Sequence, residues 1–303
     1  MLKNIYYKKT KRRCVKIAIK YSIELEKKII LAYENGISPY KMIKMIPELK
    51  NKRPTVIYGI LKRLGIKPKR KIVLTDKQRN KRKIYTVNEN YFSIIDSEDK
   101  AYWLGFIYAD GYITSASDKI GITLSYEDKE HLELFSKCIS STYPIKEYIQ
   151  YSGFSVGNKF CRILISSRKM KQDLKDKGVS ENKTTIIKFP SEKQVPRNLL
   201  NHFIRGYLDG DGSITTHSKT KNNKKNYSIK ICRTCEFIEG FKKTFGLSIK
   251  KEQRYGDRNV NNYSLTIAGN KQVLKILNSI YKNSNFYLKR KYNKYIELIN
   301  QSN

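Results

Sequence analysis

The chain has 303 residues, which is enough for two or three modules with a sizeable core. Its formal net charge of +35 at pH 7 indicates a polyanionic partner. Its first twenty residues are basic but lack the apolar run of a signal peptide, and no stretch is long enough to span a membrane. Five scattered cysteines suit a reducing compartment better than a disulfide framework. We therefore expect a soluble, intracellular, cytoplasmic protein without a membrane partner.

The N-terminal third is the most basic part, since residues 1–90 hold 26 lysines and arginines against six aspartates and glutamates. Within it the pattern predicts three short helices, at about residues 22–35, 39–46 and 54–65. Ser38 followed by Pro39 is a typical helix cap and first turn. The third helix has an apolar stripe and an opposite face that carries charged and polar side chains.

Three short helices with a basic, open-faced last helix resemble a helix-turn-helix of the resolvase or homeodomain-like kind. We therefore assign residues 1–66 to a small all-α DNA-binding module. The alternative is a three-helix bundle with a merely solvated charged face. The predicted DNA contacts of the module are Lys52, Arg53, Thr55, Tyr58, Lys62 and Arg63.

Residues 67–90 are too charged, and too poor in apolar periodicity, to form part of a core. We interpret them as a basic linker that lies along phosphates.

Two similar stretches dominate the rest of the chain, AYWLGFIYADGYI at 101–113 and NHFIRGYLDGDGSI at 201–214. Each predicts an apolar helix that ends at an acidic residue and a glycine, followed by a strand. We expect these glycines, 111 and 212, to stop the helices in the left-handed conformation. Small residues four apart share one helix face, so the two helices are expected to pack closely on each other.

Such packing brings Asp110 and Asp211, at the two helix ends, side by side. Two ionised carboxylates held close repel each other unless a cation accompanies them. A helix C-terminus carries partial negative charge and also attracts cations. Carboxylate oxygens suit a hard divalent ion such as Mg²⁺, and metal ions beside a phosphodiester activate water for strand cleavage.

The two motifs, W-L-G-F-I-Y-A-D-G and I-R-G-Y-L-D-G-D-G, resemble those of the LAGLIDADG homing endonucleases, in the form with both copies on one chain. The resemblance implies that the eighth motif position, Asp110 and Asp211, supplies the metal-binding carboxylates. It also implies that the seventh position, Ala109 and Gly210, places a backbone carbonyl near the metal. The sixth position is Asp209 in the second copy but Tyr108 in the first, and the family tolerates variation there.

After each motif the chain repeats one pattern, which predicts the fold class α/β (α+β). Each unit reads αββαββα, and two pseudo-twofold-related units with antiparallel saddle sheets follow the helical module. We place the first unit at residues 91–195, the second at 196–283, and a C-terminal basic helix at 284–303, docked on the second unit. The free sheet faces would fit a DNA duplex, and a pair of strands can read base edges in the major groove.

Two hairpin tips of the second unit extend this predicted DNA contact, with plain flexible loops as the alternative. Their basic residues are Lys219, Lys221, Lys224, Lys225, Arg254 and Arg258. The resemblance further implies basic residues beside the metals. Lys230 is one candidate, and the matching position in the first unit, near Leu124 or Ser125, carries no charge. Arg162 is the other candidate. For both residues, a contact with a DNA phosphate is the alternative.

The sequence thus favours a monomeric, magnesium-dependent homing endonuclease, with Mn²⁺ as a substitute, of the kind found in mobile genetic elements and intron homing. It would bind double-stranded DNA and make a staggered double-strand break. A non-cleaving DNA-binding regulator, or a maturase that binds intron RNA, remains the alternative on the same scaffold. Both motif aspartates are present, which favours the nuclease.

Overall fold

The computed structural model describes residues 21–66, 84–151, 156–181, 183–218, 225–250, 252–253 and 261–302. The chain divides into two compact units, residues 1–82 and 83–303, each with its own hydrophobic core. Among the helices in these described ranges, none combines the length and the apolar character needed to cross a lipid bilayer.

The smaller unit contains three helices, α1 (Ile23–Glu34), α2 (Pro39–Met45) and α3 (Pro54–Arg63), with a 3₁₀ turn at Pro47–Leu49. The side chains of Ser22 and Ser38 cap α1 and α2 by accepting hydrogen bonds from backbone N–H groups three residues on. The core is formed by aliphatic residues from all three helices, among them Ile29, Met42 and Ile57, each fully buried.

The larger unit contains two copies of one element order. The first copy runs α4 (Glu98–Ala109), β1 (Gly111–Ile113), β2 (Lys119–Ser125), α5 (Lys129–Cys138), β3 (Ile145–Ile149), β4 (Lys159–Ser166) and α6 (Arg168–Asp176). The second runs α7 (Leu200–Asp211), β5 (Ser213–Ser218), β6 (Lys225–Arg233), α8 (Cys235–Phe245), β7 (Glu252–Gln253), β8 (Tyr263–Ala268) and α9 (Asn270–Tyr281). A last helix, α10 (Lys289–Ser302), follows.

Both sheets are antiparallel and have the same strand order, β1-β2-β4-β3 in the first copy and β5-β6-β8-β7 in the second. The predicted fold class is therefore confirmed: each copy is an αββαββα arrangement of helices and antiparallel strands. Alternate residues of β4 and β6 are buried against the helices, which leaves the intervening side chains on an open sheet face.

The two motif helices, α4 and α7, pack backbone against backbone at Gly105 and Gly206. A Cβ placed on Gly105 would lie 1.9 Å from the carbonyl oxygen of Phe203, and one on Gly206 would lie 1.9 Å from that of Tyr102. These two contacts are reciprocal, because each glycine meets the residue three positions before the other glycine. The predicted close helix pairing is present, with pseudo-twofold symmetry at its centre.

The expectation about the glycines that end the motif helices is wrong. Gly212 has φ −74°, and Gly111 is not among the residues of positive φ. Their small size is needed for space instead. A Cβ on Gly111 would lie 2.8 Å from the Cα of Ile107, and one on Gly212 would lie 2.7 Å from the carbonyl oxygen of Leu208. The chain turns sharply back along the last helical turn, and a side chain would collide with it.

The C-terminal end of the predicted linker belongs to the larger unit. The backbone N–H of Asn88 donates to the carbonyl of Ile139, and that of Thr142 donates to the carbonyl of Thr86. Because these residues continue the first copy's packing, the stretch beyond residue 84 is not free linker. Residues 67–83 lie outside the described residues.

The C-terminal helix α10 begins at Lys289 rather than at residue 284, and it contacts both copies. Lys294 donates a hydrogen bond of 2.5 Å to the carbonyl of Ile214 in the second copy. Arg290 pairs with Asp128 of the first copy at 3.2 Å. The segment before the helix is held by Glu98 of α4, whose carboxylate accepts from the backbone N–H of Asn285 at 2.8 Å.

Gly105→Ala should destabilise the protein, although alanine favours a helix by about 1 kcal/mol over glycine. The new methyl group would overlap the Phe203 carbonyl, so the helices must separate, at a cost of about 3 kcal/mol or more. Gly59→Ala in α3 is the matched control, because nothing lies within 4 Å of its Cβ position. Chemical denaturation measures the change in the free energy of unfolding, which should fall in Gly105→Ala and not in Gly59→Ala. Stabilisation by Gly105→Ala would contradict the described packing.

His131 of α5 is buried among the aromatic rings of α4. Its Nε2 lies 2.9 Å from the hydroxyl oxygen of Tyr102, and its ring centroid lies 4.7 Å from that of Trp103. Burial, with a smaller contribution from the charge of Arg290, lowers the pKa of His131 to about 3. Between that value and 6.5, the unfolded chain therefore binds a proton that the folded chain does not.

As the pH falls below 6.5, His131 should make the free energy of unfolding decrease by about 1.4 kcal/mol per pH unit. Urea unfolding should show that the free energy of unfolding falls between pH 7 and pH 5 by about 2 kcal/mol less in His131→Gln than in wild type. The control is His217→Gln, since His217 lies exposed on β5. If the free energy of unfolding falls equally in wild type and His131→Gln between these pH values, the histidine is not buried as described.

Candidate active site at the ends of the paired helices

The pairing of α4 and α7 places the ends of both helices at one point. Asp110 is the C-terminal cap of α4, and Asp211 is the last residue of α7. A Cβ placed on Gly210 would lie 2.3 Å from the Cβ of Ala109 and 3.4 Å from a carboxylate oxygen of Asp110. The structure thus brings together the four residues predicted to surround the metal, Asp110, Asp211, Ala109 and Gly210.

The Asp110 carboxylate lacks a compensating partner. Within the part of the chain that the structure describes, it receives no hydrogen bond and forms no ion pair closer than 4 Å. Burial, followed by the charge of Asp211, raises the pKa of Asp110, and the nearby cations Lys183, Lys291 and Arg233 only partly oppose this. A carboxylate in this condition favours the arrival of a further cation.

Arg233, the last residue of β6, links the two helix ends. Its Nη2 lies 3.1 Å from the Asp211 carboxylate. The same nitrogen donates to the carbonyl oxygens of Tyr108 and Ala109, at 3.0 and 3.1 Å, at the end of the other motif helix. Its buried Nε has no partner among the described residues. Arg233 therefore balances part of the negative charge of both helix ends.

Two lysines donate to the terminal carbonyls of the motif helices. Lys183 Nζ lies 2.7 Å from the Ile107 oxygen and 2.6 Å from that of Ala109. Lys291 Nζ lies 2.6 Å from the oxygens of both Leu208 and Asp209. Each lysine thus caps the helix of its own copy, where the macrodipole is negative.

Burial also changes the proton affinity of these amines. Burial and the charge of Arg233 lower the pKa of Lys183 to about 7. Burial lowers the pKa of Lys291 to about 8, with Asp209 opposing the shift. Both amines can therefore gain or lose a proton near neutral pH, which an ordinary lysine cannot do.

The sixth motif position has a different partner in each copy. Asp209 is fully buried and accepts hydrogen bonds from the hydroxyls of Tyr102 and Tyr281, at 2.7 and 2.5 Å, and from the backbone N–H of Leu288 at 2.7 Å. Its counterpart, Tyr108, donates its hydroxyl to the carbonyl of Lys177. Asp209 is thus a structural carboxylate that holds the segment leading to Lys291.

The sequence did not single out Arg233, Lys183 or Lys291. Each comes from an element distant in sequence from its motif, and no fixed spacing is shared by the two lysines. The available signal was positional: each lysine follows the last helix of its own copy. In a chain with 62 lysines and arginines, that signal is weak.

The basic residues predicted beside the metals lie on the open sheet faces. Lys230 is exposed on β6, and its Cα partner in the ladder is Ser213, two residues after Asp211. Arg162 on β4 pairs with Thr123 and Lys146 in the ladder, and its guanidinium lies 5.6 Å from the centroid of the Tyr148 ring. No described hydrogen bond or ion pair joins either residue to the motif carboxylates.

The strand register also changes the expected counterpart of Lys230. Tyr112, like Ser213, is two residues after a motif aspartate, and its partner in the ladder is Gly121. Gly121 therefore takes the place that was expected near Leu124 or Ser125. Leu124 itself is buried beneath the sheet. The difference arises because a 3₁₀ turn, Tyr126–Asp128, lies between β2 and α5 in the first copy, so the equivalent residue is farther from the helix start.

Five of the six DNA contacts predicted for the helical unit are exposed, namely Lys52, Arg53, Thr55, Tyr58 and Lys62. Arg63 instead pairs with the buried carboxylate of Glu26 on α1. Among the hairpin-tip residues, Lys225 forms an ion pair with Glu297 at 3.3 Å. Lys219, Lys221, Lys224, Arg254 and Arg258 lie outside the described residues.

In the described ranges, no group of three or more histidine, cysteine, aspartate or glutamate side chains could hold a metal ion by itself. The candidate site offers two carboxylates. Mg²⁺ is commonly held by one or two carboxylates, with waters and substrate phosphate oxygens completing its shell. The donor set therefore fits an ion that binds together with a phosphate-containing substrate.

Comparison with known proteins identifies the second copy. Residues 198–281, which extend to the end of α9, match the model of the LAGLIDADG-like domain. The replication factor C small subunit of Methanocaldococcus jannaschii is 25% identical over 215 residues, which cover 68% of this chain and 10% of that protein. The chain thus matches about a tenth of the length of that relative.

Several solved structures are distantly similar. One is the meganuclease I-SmaMI bound to uncleaveable DNA, with 13% identity, a TM-score of 0.43, and 66% of this chain and 87% of that chain covered. Another is the I-LtrWI LAGLIDADG homing endonuclease bound to target DNA, with 12% identity, a TM-score of 0.42, and 71% and 91% covered. The meganuclease I-AabMI bound to uncleaved DNA has 12% identity and a TM-score of 0.42, with 66% and 88% covered.

Proposed function

We propose that this chain, in which residues 198–281 are a LAGLIDADG-like domain, is a site-specific DNA endonuclease that acts as a monomer. The observation that carries the proposal is the pair of motif carboxylates, Asp110 and Asp211, at the ends of two closely packed helices and surrounded by buried cations. The strand order and register of the first copy support a second half of the same kind. The net charge of +35 suits a duplex DNA substrate.

Asp110 and Asp211 would hold the divalent cation, Mg²⁺ with Mn²⁺ as a substitute. The uncompensated Asp110 carboxylate supports this assignment, because the charge of a bound cation would oppose the burial and the Asp211 charge that raise its pKa. The ion would supply an activated water and stabilise the leaving oxygen. The Ala109 carbonyl already accepts from Lys183 and Arg233, so its proposed role as a ligand requires one of these donors to move.

Lys183, Lys291 and Arg233 would balance the charge that develops when a phosphodiester is cleaved. Their donors are held in place by the helix carbonyls before the substrate arrives, which is the condition under which fixed charges stabilise a transition state most. The lowered pKa values of the two lysines support a further role in proton transfer to or from water near neutral pH. Arrival of a phosphate would favour their charged forms.

The open faces of the two sheets would bind the two halves of the DNA target, with Lys230 and Arg162 among their contacts. Because the carboxylates lie where the two copies meet, each copy would contribute to the cleavage of one strand. The two cuts would then produce a staggered double-strand break.

The helical unit, residues 1–66, would add affinity or target choice as a helix-turn-helix. Its exposed residues Lys52, Arg53 and Lys62 support this role, since an electrostatic contact with phosphates needs accessible charge. Residues 67–83 would be the basic linker between this unit and the two LAGLIDADG units, which end near residue 283 and precede the C-terminal helix.

Cleavage of a plasmid library containing candidate target sites, in the presence of Mg²⁺, tests the proposed function. Wild type and the control Asp176→Asn, an exposed carboxylate on α6, should linearise plasmids that carry the site. Asp110→Asn and Asp211→Asn should lose about 100-fold or more of the rate, because each loses a charged metal ligand, while DNA binding is retained. A chelator should abolish cleavage by all proteins.

Tight, salt-sensitive binding without cleavage in Mg²⁺ or Mn²⁺ would contradict the endonuclease. That result would leave a non-cleaving regulator or a maturase that binds intron RNA.

Two neighbouring residues of α3 test the helical unit. Lys62→Ala should weaken DNA binding and reduce the slope of log affinity against log salt by about one, because one phosphate contact is lost. Arg63→Ala should instead lower the stability of the unit, since it leaves the buried Glu26 carboxylate unpaired. Filter binding over a salt series and thermal unfolding measure the two effects. An unchanged salt slope in Lys62→Ala would remove this face from the DNA contact.

A further inference from the structure

The open faces of the two sheets differ in chemistry at equivalent positions. Tyr112 and Ser213 are equivalent, because each is two residues after a motif aspartate. The ladders then equate their partners, Gly121 and Lys230. The next strands in turn equate Leu164, the partner of Gly121, with Thr266, the partner of Lys230. Four residues earlier, Phe160 of the first copy corresponds to Asn262 of the second.

The open face of the first sheet carries half-buried apolar and aromatic side chains on either side of Arg162. The Tyr112 ring lies over Gly121, where an added Cβ would be 2.3 Å from its Cζ. The rings of Phe160 and Tyr148 stack with centroids 5.7 Å apart and planes 23° apart. Within the described part of the larger unit, the helices pack on the other face of this sheet, where the alternate residues of β4 are buried in the core.

The second sheet presents small polar groups and a lysine at the same places. Ser213, Lys230 and Thr266 are all exposed. Beside them the hydroxyls of Thr215 and Ser228 are 2.7 Å apart. These groups donate and accept hydrogen bonds, and they offer little apolar surface.

We propose that the two sheets read the two halves of the DNA target by different chemistry. The first sheet, through Tyr112, Phe160 and Leu164, packs on thymine methyl groups in the major groove. The second sheet reads base edges by hydrogen bonds from Lys230 and its hydroxyl groups. In the major groove, the methyl group is the apolar feature that distinguishes thymine. This inference rests on the proposed DNA-binding function and adds the sequence class of each half-site.

Charge around the first face favours DNA as its occupant. Arg162 lies on this face between Leu164 and Phe160, and its ladder partner Lys146 is exposed on β3. Apolar side chains interspersed with cations suit a groove in which methyl groups lie between two rows of phosphates. The face is also the counterpart, by strand order and register, of the second sheet's open face, so one duplex would span both.

Thymine-to-uracil replacement tests the inference without altering the protein. Uracil lacks the methyl group and keeps the hydrogen-bonding edges of thymine. The probe is the duplex that wild type selects from a random library, with thymines replaced one at a time by deoxyuridine and binding measured in Ca²⁺. In the half of the target that lies under the first sheet, removing a contacted methyl group should lower the affinity for DNA about fourfold. Replacements in the other half should leave affinity unchanged.

Reciprocal variants assign the halves. Leu164→Thr places the second sheet's residue on the first face, and it should abolish the uracil effect at the thymine that Leu164 contacts. Thr266→Leu makes the opposite exchange at the equivalent site and should alter base selection only in the other half. Circular dichroism and thermal unfolding of both variants confirm that the sheets are intact.

Equal uracil effects in the two halves, or none in either, would overturn the inference. So would a uracil effect that Leu164→Thr leaves intact at every thymine, or self-association of the protein that Leu164→Thr removes while DNA affinity stays the same. A protein that selects no site from the library would contradict the proposed function itself. Site selection without any uracil effect overturns the inference alone.

Discussion

The contact between the backbones of α4 and α7 is the constraint on which the larger unit depends. Gly105 and Gly206 each leave room for a carbonyl of the opposite helix at a distance that no side chain permits. This approach brings two helix C-termini, each with its partial negative charge and an aspartate, to one place. Packing thus determines the electrostatics, because helices kept farther apart by side chains would leave each carboxylate alone in solvent.

Basic side chains of the site partly balance the negative charge that this packing creates. Arg233 pairs with Asp211 and bonds the end of the other helix, while Lys183 and Lys291 bond the carbonyls of their own helices. Burial, together with neighbouring charges, lowers the pKa of both lysines and raises that of Asp110. The folded protein therefore holds a site whose charges are incompletely balanced, and a divalent cation with a phosphate group would complete the balance.

Local patterns predicted the fold and the proximity of the two motif carboxylates, because these patterns recur along the chain. The duplicated motif aligned Asp110 with Asp211 and Gly105 with Gly206, and the repeated pattern after each motif predicted the αββαββα order of elements. Long-range contacts were not predictable in this way. Lys183, Lys291 and Arg233 reach the site only after folding, and the charge pairing of Arg63 with Glu26 depends on how α3 crosses α1. The glycines after the motif helices show the same limit. The sequence predicted that glycine ends each helix, but it did not show that the glycine is needed for lack of space and not for a left-handed backbone.

The most direct test of the central claim is where a divalent metal binds. Crystals of the protein with its selected DNA and Mn²⁺, measured at a wavelength where manganese scatters anomalously, locate the ion without reference to activity. The account predicts anomalous density within ligand distance of the carboxylates of Asp110 and Asp211 and of a phosphate oxygen, and loss of that density in the Asp110→Asn, Asp211→Asn double variant. Density only elsewhere on the chain, with DNA bound across the sheets, would contradict it.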